Sequence, residues 1–143
     1  MQITAVENAL NGLELKFRRV AEDQIVLAFH DADGTGFGVR LILADERLSL
    51  RAYTTGDFGA DAELVRTFTT WWNAHRCVPK AVQANEDFMM DGEVTAWMEG
   101  DLFFVDLLPE PYLREWLGLQ VGACGQFVAD LWLAASVGFD VAA

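Results

Sequence analysis

The chain has 143 residues, of which 52% are hydrophobic, so it fits one domain that can bury a core without a disulfide or a metal. Its 22 acidic residues outnumber ten Lys and Arg, and the resulting formal net charge of −12 repels nucleic-acid phosphates and anionic lipid headgroups. We therefore expect one domain over residues 1–143 that binds no nucleic acid and no membrane.

The first segments predict a cytoplasmic protein that begins with a short helix. Residues 1–7 contain no cationic segment followed by an apolar run of secretory length, so we expect the cytoplasm, where Cys77 and Cys124 stay reduced. Residues 4–10 are expected to form a helix that Asn11 and Gly12 end, because glycine tolerates the left-handed conformation common at helix C-termini.

The rest of the chain alternates strands and helices. Four β-rich segments predict an antiparallel meander over residues 13–20, 25–29, 37–43 and 47–53. A second helix begins at Asp61, and its apolar residues recur at three-and-four spacing, which places one broad stripe against the sheet. Pro79 returns the chain to strands over 80–85 and 93–105, and residues 109–111 open a long last helix. The sequence predicts an α+β fold, an antiparallel sheet with helices in the order α-ββββ-α-ββ-α.

The catalytic and metal-binding motifs are incomplete. Residues 31–36 resemble the start of a calcium loop, but Ile42 stands where the template needs a glutamate, so we expect a hairpin turn. His30 and His75 lack a metal-ligand spacing, and neither serine lies in a G-x-S-x-G turn. Cys77 lies two residues beyond His75 in a helix-to-strand turn, where a cysteine is more often structural than catalytic. We therefore expect no enzyme activity, no metal and no cofactor.

The last helix is apolar nearly all round. Residues 117–139 include one charged residue, Asp130, and are long enough to cross a bilayer, but the carboxylate, four glycines and two glutamines favour a buried helix of a soluble protein. Four small residues fall at four-three-four spacing, which lets another backbone approach closely. They are Gly118, Gly122, Gly125 and Ala129. We expect a homodimer interface at this stripe; the alternative is that the glycines pack over aromatic side chains of the same subunit.

The end of the second helix carries a family resemblance. The pattern W-N-x-x-R, followed two residues later by P-K-A, resembles the centre of a YbjN-type domain. This is a bacterial family of proposed sensory transduction regulators, and the resemblance implies a fold similar to type III secretion chaperones. The residues that match are Trp72, Asn73, Arg76, Pro79, Lys80 and Ala81.

Two functions follow as hypotheses. The first is a dimeric, chaperone-like regulatory module of the YbjN type that holds an unidentified protein client through an apolar helix or a free sheet edge. Its partner-binding residues would be Trp72, Asn73, Arg76 and Lys80, in a small basic and aromatic recess; the alternative, which the position of Arg76 and Asn73 at a helix end favours, is that these side chains serve only the fold. The alternative function is a small-molecule sensor or minor enzyme with a pocket between the sheet and the second helix.

Overall fold

Three helices lie on one face of a six-stranded antiparallel sheet in the computed structural model, which describes residues 1–30, 36–55, 62–75, 80–83, 96–104 and 108–137. The helices are α1 (Ile3–Gly12), α2 (Ala62–His75) and α3 (Glu110–Val137). The strands are β1 (Arg18–Ala21), β2 (Gln24–His30), β3 (Gly36–Ala44), β4 (Arg47–Thr55), β5 (Lys80–Gln83) and β6 (Ala96–Phe103).

The strands lie in the order β1-β2-β3-β4-β6-β5, so β1 and β5 form the edges of the described sheet. Each neighbouring pair is antiparallel, and β6 inserts between β4 and β5. This architecture confirms the α+β fold and the element order predicted from the sequence. The hairpin turn predicted for residues 31–36 lies mostly outside the described residues, but both of its flanks are strands, with His30 paired to Gly36.

Alternation along the strands gives the sheet two different faces. One face carries the apolar side chains that pack under the helices, among them Ile25, Leu41, Leu50 and Met98. The other, called here the open face, carries polar and charged side chains, and no described helix packs on it. One row of directly opposed residues crosses it through Arg18, Val26, Arg40, Arg51 and Glu99.

The connection between α1 and β1 differs from the prediction. The expected strand over residues 13–20 begins only at Arg18, and Gly12 lies inside the helix. Glu14 takes the left-handed conformation, with φ of 59°. The Leu15 N–H then donates to the Leu10 carbonyl oxygen at 3.1 Å and the Glu14 N–H to that of Asn11 at 3.0 Å, so two terminal carbonyls find donors.

An aromatic cluster joins α2 to α3 above the sheet. The rings of Phe68 and Trp72 lie 5.4 and 5.1 Å from that of Phe127, measured between centroids, and all three side chains are buried. On the other side, α3 packs against α1, where Leu10 and Leu117 are buried together in the same core. The inner side of α3 therefore packs against α1, α2 and the sheet.

Candidate functional site

The Trp-Asn pair of the sequence motif lies at the junction of α2 and the edge strand β5. The Asn73 side-chain amide donates to the Ala81 carbonyl oxygen and accepts a hydrogen bond from the Ala81 N–H, both at 2.8 Å. Because β5 has a described neighbour only on its β6 side, these bonds satisfy backbone groups on its other edge. Asn73 thus holds the edge strand to the helix.

The other residues of the expected partner-binding recess do not form one surface among the described residues. Trp72 is 1% exposed and lies in the core rather than on a surface. Arg76 lies outside the described residues, as does the side chain of Lys80, whose backbone begins β5. The recess as a binding site stays a prediction, while Trp72 and Asn73 have identified roles in packing and in strand attachment.

The predicted small-residue stripe of α3 divides between the inside and the outside of the chain. A Cβ built on Gly118 would lie 3.3 Å from Leu13 Cδ2, and one built on Gly125 would lie 3.6 Å from Phe37 Cζ. A Cβ on Gly122 would have no neighbour within 4 Å among the described residues, and Ala129 is exposed. Gly118 and Gly125 therefore face side chains of this subunit, with a close approach at Gly118, whereas Gly122 and Ala129 leave a shallow surface.

Gly122 and Ala129 belong to a longer exposed row, called here the outer face of α3. Its members recur at alternating steps of three and four residues, the spacing that pairs helices in coiled coils. Bulky Tyr112, Leu119 and Leu133, which are 54%, 68% and 58% exposed, alternate with smaller residues. The outer face consists of Tyr112, Glu115, Leu119, Gly122, Gln126, Ala129, Leu133 and Ser136.

The outer face has little charge although the protein is strongly acidic. Glu115 is its one ionisable carboxylate, and Gln126 donates through Nε2 to Asp130 Oδ1 at 2.7 Å, at the border of the face. Depletion of charge together with exposed Leu and Tyr is typical of the centre of a protein interface. The outer face is therefore the best candidate interaction surface among the described residues.

Length and composition would also allow α3 to cross a membrane. It is the one described helix of which this holds, and 44% of its most apolar 18-residue window is buried inside the protein. Its packing against α1, α2 and β3 is that of a core helix.

Comparison with known proteins identifies the fold. No protein-family model and no curated protein sequence matches the chain. The crystal structure of YbjN from E. coli, a protein proposed to regulate transcription, matches with a TM-score of 0.62 over 95% of this chain and 92% of that chain. The chain has a YbjN-like fold. The two sequences are 16% identical, so this likeness concerns architecture.

Within the YbjN-like fold, the sequence reasoning missed the bulky half of the outer face. It selected the glycines because their spacing stands out, and it treated Leu119 and Leu133 as part of a helix that is apolar all round. Their heptad spacing with Tyr112 was visible in the sequence, but the buried residues of α3 follow helical spacing too. Only the packing of α1 and the sheet shows which apolar row faces solvent.

Proposed function

We propose that this chain is a non-enzymatic, cytoplasmic regulatory module of the YbjN type that binds a protein client and acts as a homodimer. The fold supports the YbjN-type assignment, and the neighbour's proposed role in transcription supports a regulatory rather than a metabolic task. The proposal that the chain forms a dimer rests on the exposed, weakly charged outer face of α3. A dimer places two copies of the module side by side and leaves the β1 sheet edge of each copy available to a client, whereas Asn73 occupies part of the β5 edge.

The pattern of the outer face suits an antiparallel pair of α3 helices. In such a pair, the bulky positions of one helix meet the small positions of the other. The two helices are each about 42 Å long, and an overlap one residue short of complete sets Leu119 against the partner's Ala129 and Gln126 against the partner's Gly122. The twofold symmetry of the pair repeats each contact, so one row with a single carboxylate, that of Glu115, serves both subunits.

The buried thiol of Cys124 is not a candidate for nucleophilic catalysis. Cys124 lies on the inner side of α3, in the core, and burial raises the pKa of its thiol to about 12. A thiol with this pKa is protonated at neutral pH, and the burial of Cys124 keeps substrates away from it. Cys77, the other cysteine, lies outside the described residues.

The alternative function, a sensor with a pocket between the sheet and α2, receives less support. The α2 side chains that would line such a pocket are Phe68 and Trp72, and both pack at ring-contact distance on Phe127. Trp71, beside them, stacks on His75 with ring centroids 4.8 Å apart. These contacts are those of a filled aromatic core.

The test is size-exclusion chromatography with multi-angle light scattering, coupled to native mass spectrometry of the same sample. We expect a dimer of twice 15.9 kDa without an added small-molecule mass. Leu119→Glu and Leu133→Glu should shift it to monomer, because each buries a charge against the partner. Phe103→Glu is the matched control, since Phe103 is 71% exposed but lies on β6, away from α3. A parent monomer that carries a discrete extra mass would contradict the proposal and favour the sensor.

A further inference from the structure

Cations are concentrated on the open face of the sheet. Among the Lys and Arg side chains that the structure describes, five lie there. They are Lys16, Arg18, Arg40, Arg47 and Arg51. This face therefore differs in charge from a protein whose net charge is −12.

Three of these cations line a recess with an apolar floor, called here the basic recess. The cavity has a volume of about 460 Å³ and opens on the open face between β1 and β4. Lys16, Arg18 and Arg40 supply its charge, Tyr53 forms a wall, and Val26 and Ala28 lie in the floor. A volume of this size holds a small organic molecule rather than a folded domain.

The cations of the basic recess lack carboxylate partners among the described residues. Arg40 stands directly opposite Arg51 in the β3–β4 pair, and like charges in that position repel. Arg51 lies 4.0 Å from Glu99 and 3.8 Å from Asp101, which offset its charge. Arg40 instead donates through Nη1 to the neutral Oε1 of Gln24 at 2.7 Å. No described carboxylate lies within 4.0 Å of Lys16, Arg18 or Arg40, so their charge is available to a ligand.

Tyr53 gives the basic recess a fixed aromatic wall. It pairs directly with Gly38 across β3 and β4, and a Cβ on Gly38 would lie only 2.4 Å from Tyr53 Cζ. The phenol ring therefore occupies the space above Gly38, on the same face as Arg40 two residues further along β3. The cations and the ring lie close enough together to bind the charged group and the apolar body of one ligand.

We propose that the basic recess binds a small organic anion, in which a phosphate or carboxylate group is attached to an apolar or aromatic body. Arg40, Arg18 and Lys16 bind the anionic group, since guanidinium groups donate paired hydrogen bonds to phosphate and carboxylate oxygens. The body of the ligand packs on Val26 and Ala28 beside the ring of Tyr53. This site is separate from the outer face of α3 and does not depend on the proposed dimer.

The experiment uses the full chain labelled with ¹⁵N and titrated with phenyl phosphate or benzoate in two-dimensional NMR. Phenol and inorganic phosphate are the matched probes, because each lacks either the charge or the ring. We expect saturable shifts confined to amides of residues 16–18, 26–28, 38–40 and 53. Phenyl phosphate or benzoate should bind about fivefold or more tightly than either matched probe, and added NaCl should weaken the binding.

Charge-neutralising variants distinguish binding in the basic recess from nonspecific electrostatic attraction of anions to the protein. Arg40→Gln should weaken binding of the aromatic anion about tenfold, as expected for the loss of a hydrogen bond to a charged group. Arg18→Gln, at an exposed position, is a second test that leaves the fold intact. Arg66→Gln, an exposed position on α2, removes the same charge away from the recess and should leave the dissociation constant unchanged.

Three results would overturn the assignment. The first is the absence of saturable shifts with both aromatic anions. The second is equal affinity for phenol and phenyl phosphate, or equal loss of binding in Arg40→Gln and Arg66→Gln. The third is tighter binding of hexaglutamate or a DNA duplex with shifts that extend over β4 and β6, which would identify the open face as a docking surface for an acidic polymer.

Discussion

Asn73 and Ala81 form a two-bond pair in which a side-chain amide takes the place of a neighbouring strand. The Ala81 N–H donates to Asn73 Oδ1 and the Asn73 amide donates back to the Ala81 carbonyl oxygen, at 2.8 Å each. This explains why an asparagine on a helix and an alanine eight residues later belong to one sequence motif. The pair fixes where the chain leaves α2 and enters β5.

Asn73→Ala should lower the free energy of unfolding by about 1–3 kcal/mol, because two backbone groups of Ala81 lose their partner. The Ala81 amide should also exchange its hydrogen faster. Urea denaturation and hydrogen exchange measure the two effects. Asn11→Ala is the control, since that exposed side chain makes no hydrogen bond with a described residue, and it should change stability by less than about 0.5 kcal/mol. Equal stability losses in the two variants would contradict the proposed attachment.

Glu14 adopts a conformation that favours glycine. Its φ of 59° costs an L-residue roughly 1 kcal/mol, yet the hydrogen bonds of Glu14 and Leu15 to the last turn of α1 require this geometry. Glu14→Gly should therefore raise the free energy of unfolding by several tenths of a kcal/mol to about 1 kcal/mol. Glu14→Ala removes the same charge without relieving the strain and should stay near the parent value in the same urea titration. A gain shared by both variants would assign the effect to charge.

The connection around Glu14 is the part of the fold that the sequence predicted wrongly. Alternation of apolar residues predicted a strand from residue 13, but Leu13 and Leu15 pack against the core as the chain leaves α1. The element order was predictable because each strand of the sheet keeps its apolar residues on one side. The exact end of α1 was not, because its terminal bonds depend on Glu14 rather than on the nearby glycine.

The candidate sites were predictable to a smaller extent. Spacing alone selected Gly122 and Ala129, which are exposed, but it could not separate them from Gly118 and Gly125, which face Leu13 and Phe37. The basic recess was missed altogether, because its cations come from two segments, residues 16–18 and β3, that only strand register brings together. Long-range pairing of this kind leaves no local pattern in the sequence.

The buried thiol of Cys124 should make the free energy of unfolding depend on pH in the alkaline range. Its thiol ionises near pH 9 in the unfolded chain, whereas burial raises the pKa of the folded thiol to about 12. Between these values the folded state binds more protons than the unfolded state, so stability falls as pH rises, by at most about 1.4 kcal/mol per pH unit for this group. The contribution is constant below pH 9.

Cys124→Val provides the comparison, because valine has a similar volume and does not ionise. Urea denaturation at several pH values between 8 and about 11 should show a steeper loss for the parent than for the variant. In a Cys77→Ser background, a thiol reagent should modify the native parent slowly and the urea-unfolded parent rapidly. Parallel stability curves for parent and Cys124→Val would show that the thiol is accessible to water in the folded state.

Gly122 and Gly125 give the sharpest test of which side of α3 meets a second subunit. A side chain on Gly122 meets no described atom within 4 Å, whereas one on Gly125 meets the ring of Phe37. Gly122→Leu should therefore shift the dimer toward monomer or aggregate while the monomer keeps its stability, since replacing a helical glycine favours the helix by up to about 1 kcal/mol. Gly125→Leu should leave the dimer intact, because a side chain there lies at ordinary contact distance from Phe37 of the same subunit. Gly118→Leu should lower the free energy of unfolding by about 1–3 kcal/mol through overpacking, since a Cβ at that position lies only 3.3 Å from Leu13 Cδ2. Light scattering across a concentration series, together with urea denaturation, separates the two effects. A Gly122→Leu protein that remains an unchanged dimer would exclude the outer face as the interface.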